Sequence, residues 1–333
     1  MNRLQTNLEN QNIKLISLNL PTPFPVGDVH AYLLLGDKIT LIDAGIKTEQ
    51  AWKSLIYQIN ENGIRLKDID QVLLTHHHVD HIGLLDILRQ HHSKLKVYAH
   101  QWTIPWVEKE PIFNQQLTLF YEKLYLENGL SKDQVQRIKS FNQYLNQFMD
   151  PVSDIELIED GSSLPHLPNW KVLHTPGHSQ GHIVLYHEKK GILIAGDFIL
   201  ENTSSGIFVE PILINNLFSR AKSGIDYLHS LEKIKGLKIE KVYSGHGKVI
   251  VNLDEMIDRQ FSRFKQRSEQ LKEILEQGSF TVYDLMRKVY PNRYEKHLNL
   301  FFSEILSFLD YLEYNGEISS FRQDHLIKYQ LKM

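Results

Sequence analysis

The chain has 333 residues, 42% hydrophobic and 23% charged, with a formal net charge of −3 and no cysteine. That length can bury a large core and suggests one large domain with a smaller one. The charge provides no global basic field for nucleic acid or anionic membrane, and the lack of cysteine excludes disulfides, thiolate ligands and thiol nucleophiles.

The first dozen residues are polar and lack the apolar stretch of a signal peptide. No run of about 18 apolar residues predicts a membrane helix, so a cytoplasmic protein is the expectation. Residues 13–18 read as a first strand, and 20–25 (LPTPFP) as a proline-rich turn. Two apolar runs, 29–35 and 39–42, are split by Gly36-Asp37, a hairpin signal. The second run ends in Asp43-Ala44-Gly45. A helix is predicted over 48–62, with Thr48 as cap and Gly63 as stop.

Residues 72–75 form a buried strand that stops at a polar cluster, THHHVDHIG from Thr75 to Gly83. Within it His76, His78, Asp80 and His81 make the pattern H-x-H-x-D-H. Four side chains of metal-ligand type fall within six positions. If the segment stays extended, alternate residues share a face and His76, His78 and Asp80 converge. His77 and Val79 fall between them, and His77 is expected to face the other way. A polar loop capping a helix would account for Asp80 but not for three imidazoles.

A helix over 83–92 and a strand over 97–99 follow. Residues 101–150 carry Trp102, Trp106, Phe113, Phe120, Tyr121, Tyr125, Phe141, Tyr144 and Phe148 among helically spaced apolar positions. They predict two or three amphipathic helices, either packed on the core or covering the polar cluster. Strands resume at 155–158, 170–174, 183–186, 192–195 and 241–243. Several end in glycine and one metal-capable residue: Gly177-His178, Gly196-Asp197 and Gly245-His246.

The order H-x-H-x-D-H, P-G-H-S, G-D and G-H-G resembles the metallo-β-lactamase superfamily over roughly residues 13–250. The resemblance implies an α+β fold, an αββα sandwich with metals along one edge of its sheets. It implies that His76, His78 and His178 hold one metal, and that Asp80, His81 and His246 hold another, bridged by Asp197. Asp43 corresponds to the family's aspartate beneath the metal loop. His182 is read as packing or supporting the ligands, while His30, His100, His166, His174 and His187 are read as structural. Zinc is the expected divalent metal, with manganese or iron suited to the same ligands. Two such ions about 3.5–4 Å apart can activate a bridging water and polarise a substrate oxygen, with Asp80 also handling a proton. Aspartate rather than cysteine or serine at 197 argues against β-lactam hydrolysis and for glyoxalase II-like, lactonase-like or nuclease-like branches.

Residues 253–277, 281–290 and 296–315 predict three helices, and 318–331 a two-stranded wing, together a winged-helix-like module. The division is a catalytic domain over 1–250, with the insertion at about 101–150, and a C-terminal domain over 251–333. This module resembles that of the β-lactamase-like protein 2 group, one branch of which cleaves single-stranded RNA. Phe198 and Glu201 depart from that group's pattern beside the expected pocket. The tail holds 12 Lys/Arg against 13 Asp/Glu, and Arg259, Arg263 and Arg267 read as a solvated helix face. The module could instead dock on the catalytic domain or build a homodimer. The primary expectation is a dinuclear hydrolase of a small ester, thioester or lactone, with no membrane partner. An endoribonuclease is the second reading, and a binding protein with a degenerate site the third.

Overall fold

The computed structural model describes residues 14–201, 205–214 and 217–332. Ile13, placed in the first predicted strand, and the polar leader lie outside them. Six strands form the first sheet in the order β1-β2-β3-β4-β5-β6: β1 Lys14–Leu20, β2 Val29–Leu35, β3 Ile39–Ile42, β4 Gln71–Leu73, β5 Lys96–Ala99 and β6 Glu156–Leu157. The first three are antiparallel and the last four run parallel. The second sheet, in the order β13-β10-β9-β8-β7, contains β7 Ser163–Leu164, β8 Leu167–His174, β9 Ile183–His187 and β10 Ile192–Gly196. A separate ribbon, β11 Pro211–Ile214 and β12 Leu217–Arg220, precedes its last strand, β13 Lys241–Ser244.

Alternation along the strands explains why the sheets stack. In β2, Tyr32 and Leu34 enter an apolar cluster with Trp170, Ile183 and Leu185 of the second sheet. Their neighbours Ala31 and Leu33 point the other way, into a cluster with Ala51, Leu55 and Leu88. In β9, Ile183 and Leu185 face the first sheet while Val184 and Tyr186 face outward. A period of two thus feeds two faces of each sheet, producing the layers of an αββα sandwich.

The helices cover those outer faces. They are α1 Glu49–Glu61, α2 Val79–Ile82, α3 Leu85–His91, α4 Ile104–Glu108, α5 Pro111–Glu127, α6 Lys132–Leu145, α7 Ser223–Lys235, α8 Leu253–Leu275, α9 Val282–Val289 and α10 Leu298–Tyr314. Thr48 caps α1 by accepting the Ala51 N–H at 3.1 Å, as its sequence predicts. The helix expected over 83–92 is α3, with a later start. The His81 carbonyl accepts the Ala44 N–H instead of continuing a helical ladder, and the Leu84 N–H turns to Gly45, so α3 begins only at Leu85.

Three helices occupy the insertion, and three more occupy the C-terminal segment with the hairpin β14 Ile318–Gln323 and β15 Leu326–Leu331. One apolar cluster runs from Val184 and Leu193 of the second sheet through Tyr125 and Ile138 of the insertion to Phe302 and Leu312 of α10. Among the described residues no helix is long and apolar enough to cross a membrane.

Candidate metal centre

The strand feeding the polar cluster is pinned on both sides. β4 pairs in parallel with β3 and β5, and the Leu74 N–H donates to the Tyr98 carbonyl at 2.9 Å. The chain then leaves the sheet. The extended alternation expected through Asp80 does not occur. His78 is the N-cap of α2, which carries Asp80 and His81 on one helical turn. Asp80 therefore reaches the site by helix geometry, and not by the pleat.

All seven predicted ligands meet at one edge of the sandwich. The loops after β8, β10 and β13 supply His178, Asp197 and His246. His76 Nε2 lies 3.1 Å from His78 Nδ1, and His178 Nε2 lies 2.9 Å from that same atom. Ligand nitrogens about 2.0–2.1 Å from a tetrahedral ion stand about 3.3 Å apart, close to this spacing. Asp80, His81 and His246 form an adjacent group, with His246 Nε2 3.3 Å from Asp80 Oδ2. Asp197 stands between the groups. Its Oδ1 is 3.4 Å from His81 Nε2, and its Oδ2 is 3.6 Å from His246 Nε2 and 3.7 Å from His178 Nε2.

The outer nitrogens are already committed. His178 Nδ1 pairs with the Gly206 carbonyl at 2.7 Å, His246 Nδ1 with the Asp28 carbonyl at 2.7 Å, and His81 Nδ1 with Asp43 Oδ2 at 2.7 Å. Each partner is an acceptor, so each Nδ1 must carry the proton and Nε2 keeps its lone pair for the centre. His81 Nε2, His246 Nε2 and Asp197 Oδ1 are buried without hydrogen-bond partners. Three converging buried acceptors are costly unless a cation joins them. These residues fit a divalent metal.

Electrostatics divide the candidate ligands: burial favours neutral His76 and His78, whereas Asp197, against burial, favours charge on His81 and His246. Burial, then the neighbouring His81 and His78, holds His76 well below the usual imidazole range. Burial and His178 hold His78 at about 3, so both are neutral, the form that ligates. At His81 burial opposes charge, yet Asp197 and Asp43 outweigh it and raise the group.

Asp43 is where the sequence places the supporting aspartate. Its backbone takes the left-handed φ of 60°, and its carboxylate also accepts the Thr75 N–H at 2.7 Å and the Thr75 hydroxyl at 2.8 Å. Gly245 is required by space. A Cβ there would collide with Asp197 Oδ1 and approach His81 Cε1 to 2.7 Å. His182 supports the centre without joining it, since its Nε2 accepts the Asp197 N–H at 3.2 Å. Phe198 is fully buried against Tyr227 and His182, so it belongs to the core and does not line the pocket.

Sequence reading missed three neighbours, Trp106, Phe208 and Glu210. His77, expected to face the other way, lies beside His78 with ring centroids 5.1 Å apart, makes with His78 and Glu210 a further group that could hold an ion, and stacks on Trp106 with ring centroids 4.2 Å apart. Its Nε2 lies 3.3 Å from Glu210 Oε1, whose other oxygen accepts the Gln180 N–H at 2.7 Å. Burial pushes Glu210 up to about 8, against the Gln180 hydrogen bond. Burial, then His78, holds His77 well below its usual value. Burial thus disfavours the charged form of both partners. Phe208 sets its edge against His78 and His178. Glu210 and Phe208 come from a stretch with no motif, while Trp106 was visible only as one aromatic among many.

Residues 24–246 match the model of the metallo-beta-lactamase superfamily. The chain is 34% identical over 316 residues to the probable metallo-hydrolase YqjP of Bacillus subtilis (strain 168), covering 95% of this chain and 97% of that protein. It is 27% identical to the beta-lactamase-like protein 2 homolog of Caenorhabditis elegans, over 82% of this chain and 74% of the other. The crystal structure of the metallo-beta-lactamase family protein TTHA1429 from Thermus thermophilus superposes with a TM-score of 0.78. It shares 26% identity, over 96% of this chain and 98% of that one.

Proposed function

Because this chain belongs to the metallo-β-lactamase superfamily of hydrolases, we propose that it hydrolyses a small ester, thioester or lactone with two divalent cations. The observation that carries this is Asp197, set within 3.4–3.7 Å of nitrogens from both ligand groups. In this reading His76, His78 and His178 hold one cation, Asp80, His81 and His246 the other, and Asp197 both. Zinc is proposed first, and manganese or iron would suit the same donors. When bound, such ions supply an acidified water and polarise the substrate oxygen.

The chain's own residues do the remaining work. Asp43 fixes His81 by its Nδ1–H, and the Gly206 and Asp28 carbonyls fix His178 and His246. Backbone bonds lock the loops that carry the ligands: Ile183 N–H to the Thr75 carbonyl at 2.9 Å, and Gly245 N–H to the Gly196 carbonyl at 2.6 Å. Asp80 is assigned the proton exchanged with water or the leaving group. The arginines of α8 have acidic or polar neighbours of their own. Arg263 pairs with Glu304 at 2.7 Å, Arg259 with Glu255 at 3.6 Å, and Arg267 with Gln270.

The test compares a glutathione thioester, an acyl lactone and single-stranded RNA as substrates for zinc- or manganese-loaded protein, with Asp197→Ala as blank. Turnover of an acyl substrate that vanishes in the variant supports the reading. Cleavage of RNA alone replaces it with an endoribonuclease. Near-normal turnover by Asp197→Ala or by His78→Ala would show that the metal assignment is wrong.

A further inference from the structure

The rings that touch the ligand histidines do not stop there. Phe208 stands edge-on to His78 at 5.3 Å between centroids. From His77, Trp106 leads to Phe113 at 5.6 Å, Phe113 to Phe218 at 5.5 Å, and Phe218 to Phe120 at 6.2 Å. Trp106, Phe208, Phe113, Phe218 and Phe120 are all half-buried. Phe218 lies on the ribbon opposite Leu213, and the run ends in exposed apolar side chains. On the ribbon face that carries Phe218, Leu213 is 40% exposed, and on α5 Ile112 is 69% and Leu119 61% exposed.

We infer that this aromatic run binds the apolar tail of the substrate, and that the substrate is a fatty-acyl ester or thioester. The inference deepens the proposed hydrolase function and rests on it. Clustered exposed apolar side chains mark a binding surface. A surface made for a protein partner need not reach the candidate metal centre, but this one starts at Trp106 on His77, whose neighbour His78 is packed by Phe208. Its walls can shed water around methylenes but offer a phosphodiester backbone no array of cations. A surface that is apolar along its length, with polar groups at one end, suits a tail attached to a reacting head. Insertion and ribbon each contribute one wall, which gives a role to two segments the metal ligands do not use.

The experiment uses the metal-loaded protein and S-alkyl N-acetylcysteamine thioethers from butyl to dodecyl, which cannot be hydrolysed, with affinities read by calorimetry. Affinity should rise by about two- to fourfold per added methylene. Leu213→Ser, on an exposed position of the face that carries Phe218, should flatten the rise for the longest chains, and Phe113→Ser should flatten it from mid-length. Flat affinity across the series would overturn the inference even if a short thioester were hydrolysed. So would a chain-length rise unchanged in both variants, or a Leu213→Ser effect on oligomeric state alone. The matching S-acyl thioesters separate the two claims: binding that grows with chain length, with no hydrolysis at any length, removes the hydrolase reading and the substrate role with it.

Discussion

Asp43 concentrates three hydrogen bonds on one carboxylate held at a φ of 60°, a conformation that disfavours most side chains by about 1–2 kcal/mol. Asp43→Ala would leave the Thr75 N–H and the His81 Nδ1–H without acceptors. Metal affinity should fall about 10–100-fold, measured by competition with a chelator, while the fold persists with reduced stability. Unchanged affinity would mean that His81 needs no support. Glu210 offers a separate test through pH. Its folded pKa of about 8 lies above the ordinary 4.5, so the folded chain keeps a proton that the unfolded chain releases. Its contribution to stability is therefore greatest below pH 4.5, declines as pH rises, and levels off above about 8. Glu210→Gln copies the protonated acid in shape and hydrogen bonding. In metal-free protein the variant should match the parent near pH 5 and exceed it near pH 8.5 in urea midpoint. Parallel curves would refute a neutral buried Glu210.

The elements differ in how openly the sequence declares them. Strands β2, β9 and β10 were legible because each alternates between two apolar clusters, and the candidate ligands were legible because they cluster in the segments that follow β4, β8, β10 and β13. α9 announced itself by its cap, with Thr281 and Asp284 exchanging reciprocal hydrogen bonds. The ribbon was not legible, nor was α7. The ribbon's strands are four residues each and begin with Pro211, and what holds them lies about ninety residues away. Arg220 forks onto Asp310 of α10, with Nη2 to Oδ1 at 2.8 Å, and Lys222 reaches the same Oδ1 at 2.5 Å. Asp310 is fully buried, so no local pattern could reveal the tie. Breaking a buried pair from one side costs about 3–5 kcal/mol. Asp310→Ala should lower the unfolding free energy by that order. It should also weaken turnover, because β12 leads back beside Glu210 through the Ala221 N–H to Glu210 carbonyl bond at 3.1 Å. A loss no larger than that of an exposed Asp would show that the ribbon does not depend on α10.

At the scale of the molecule, the C-terminal segment and the insertion form one packed body on the outer face of the second sheet. Tyr125 of α5 meets Phe302 of α10 edge-on at 4.8 Å. The Tyr283 N–H donates to the Asn128 carbonyl at 3.1 Å, Gln134 donates to the Tyr283 hydroxyl at 2.8 Å, and Arg322 pairs with Glu127 at 3.1 Å. The same insertion begins at Trp106 and Phe113, beside the candidate metal centre. A disturbance in α10 thus has a packed route to the site through α5, without any ligand of its own. If these segments share one core, unfolding should be a single calorimetric transition that fluorescence and far-ultraviolet dichroism report at one midpoint. Phe302→Ala, which opens a cavity at a fully buried position, should cost about 3–5 kcal/mol and lower that single midpoint for every probe, metal release included. Two transitions, with only the later or the earlier one moved by Phe302→Ala and metal release unaffected, would show instead that the C-terminal segment folds as a unit of its own and that the catalytic sandwich stands without it.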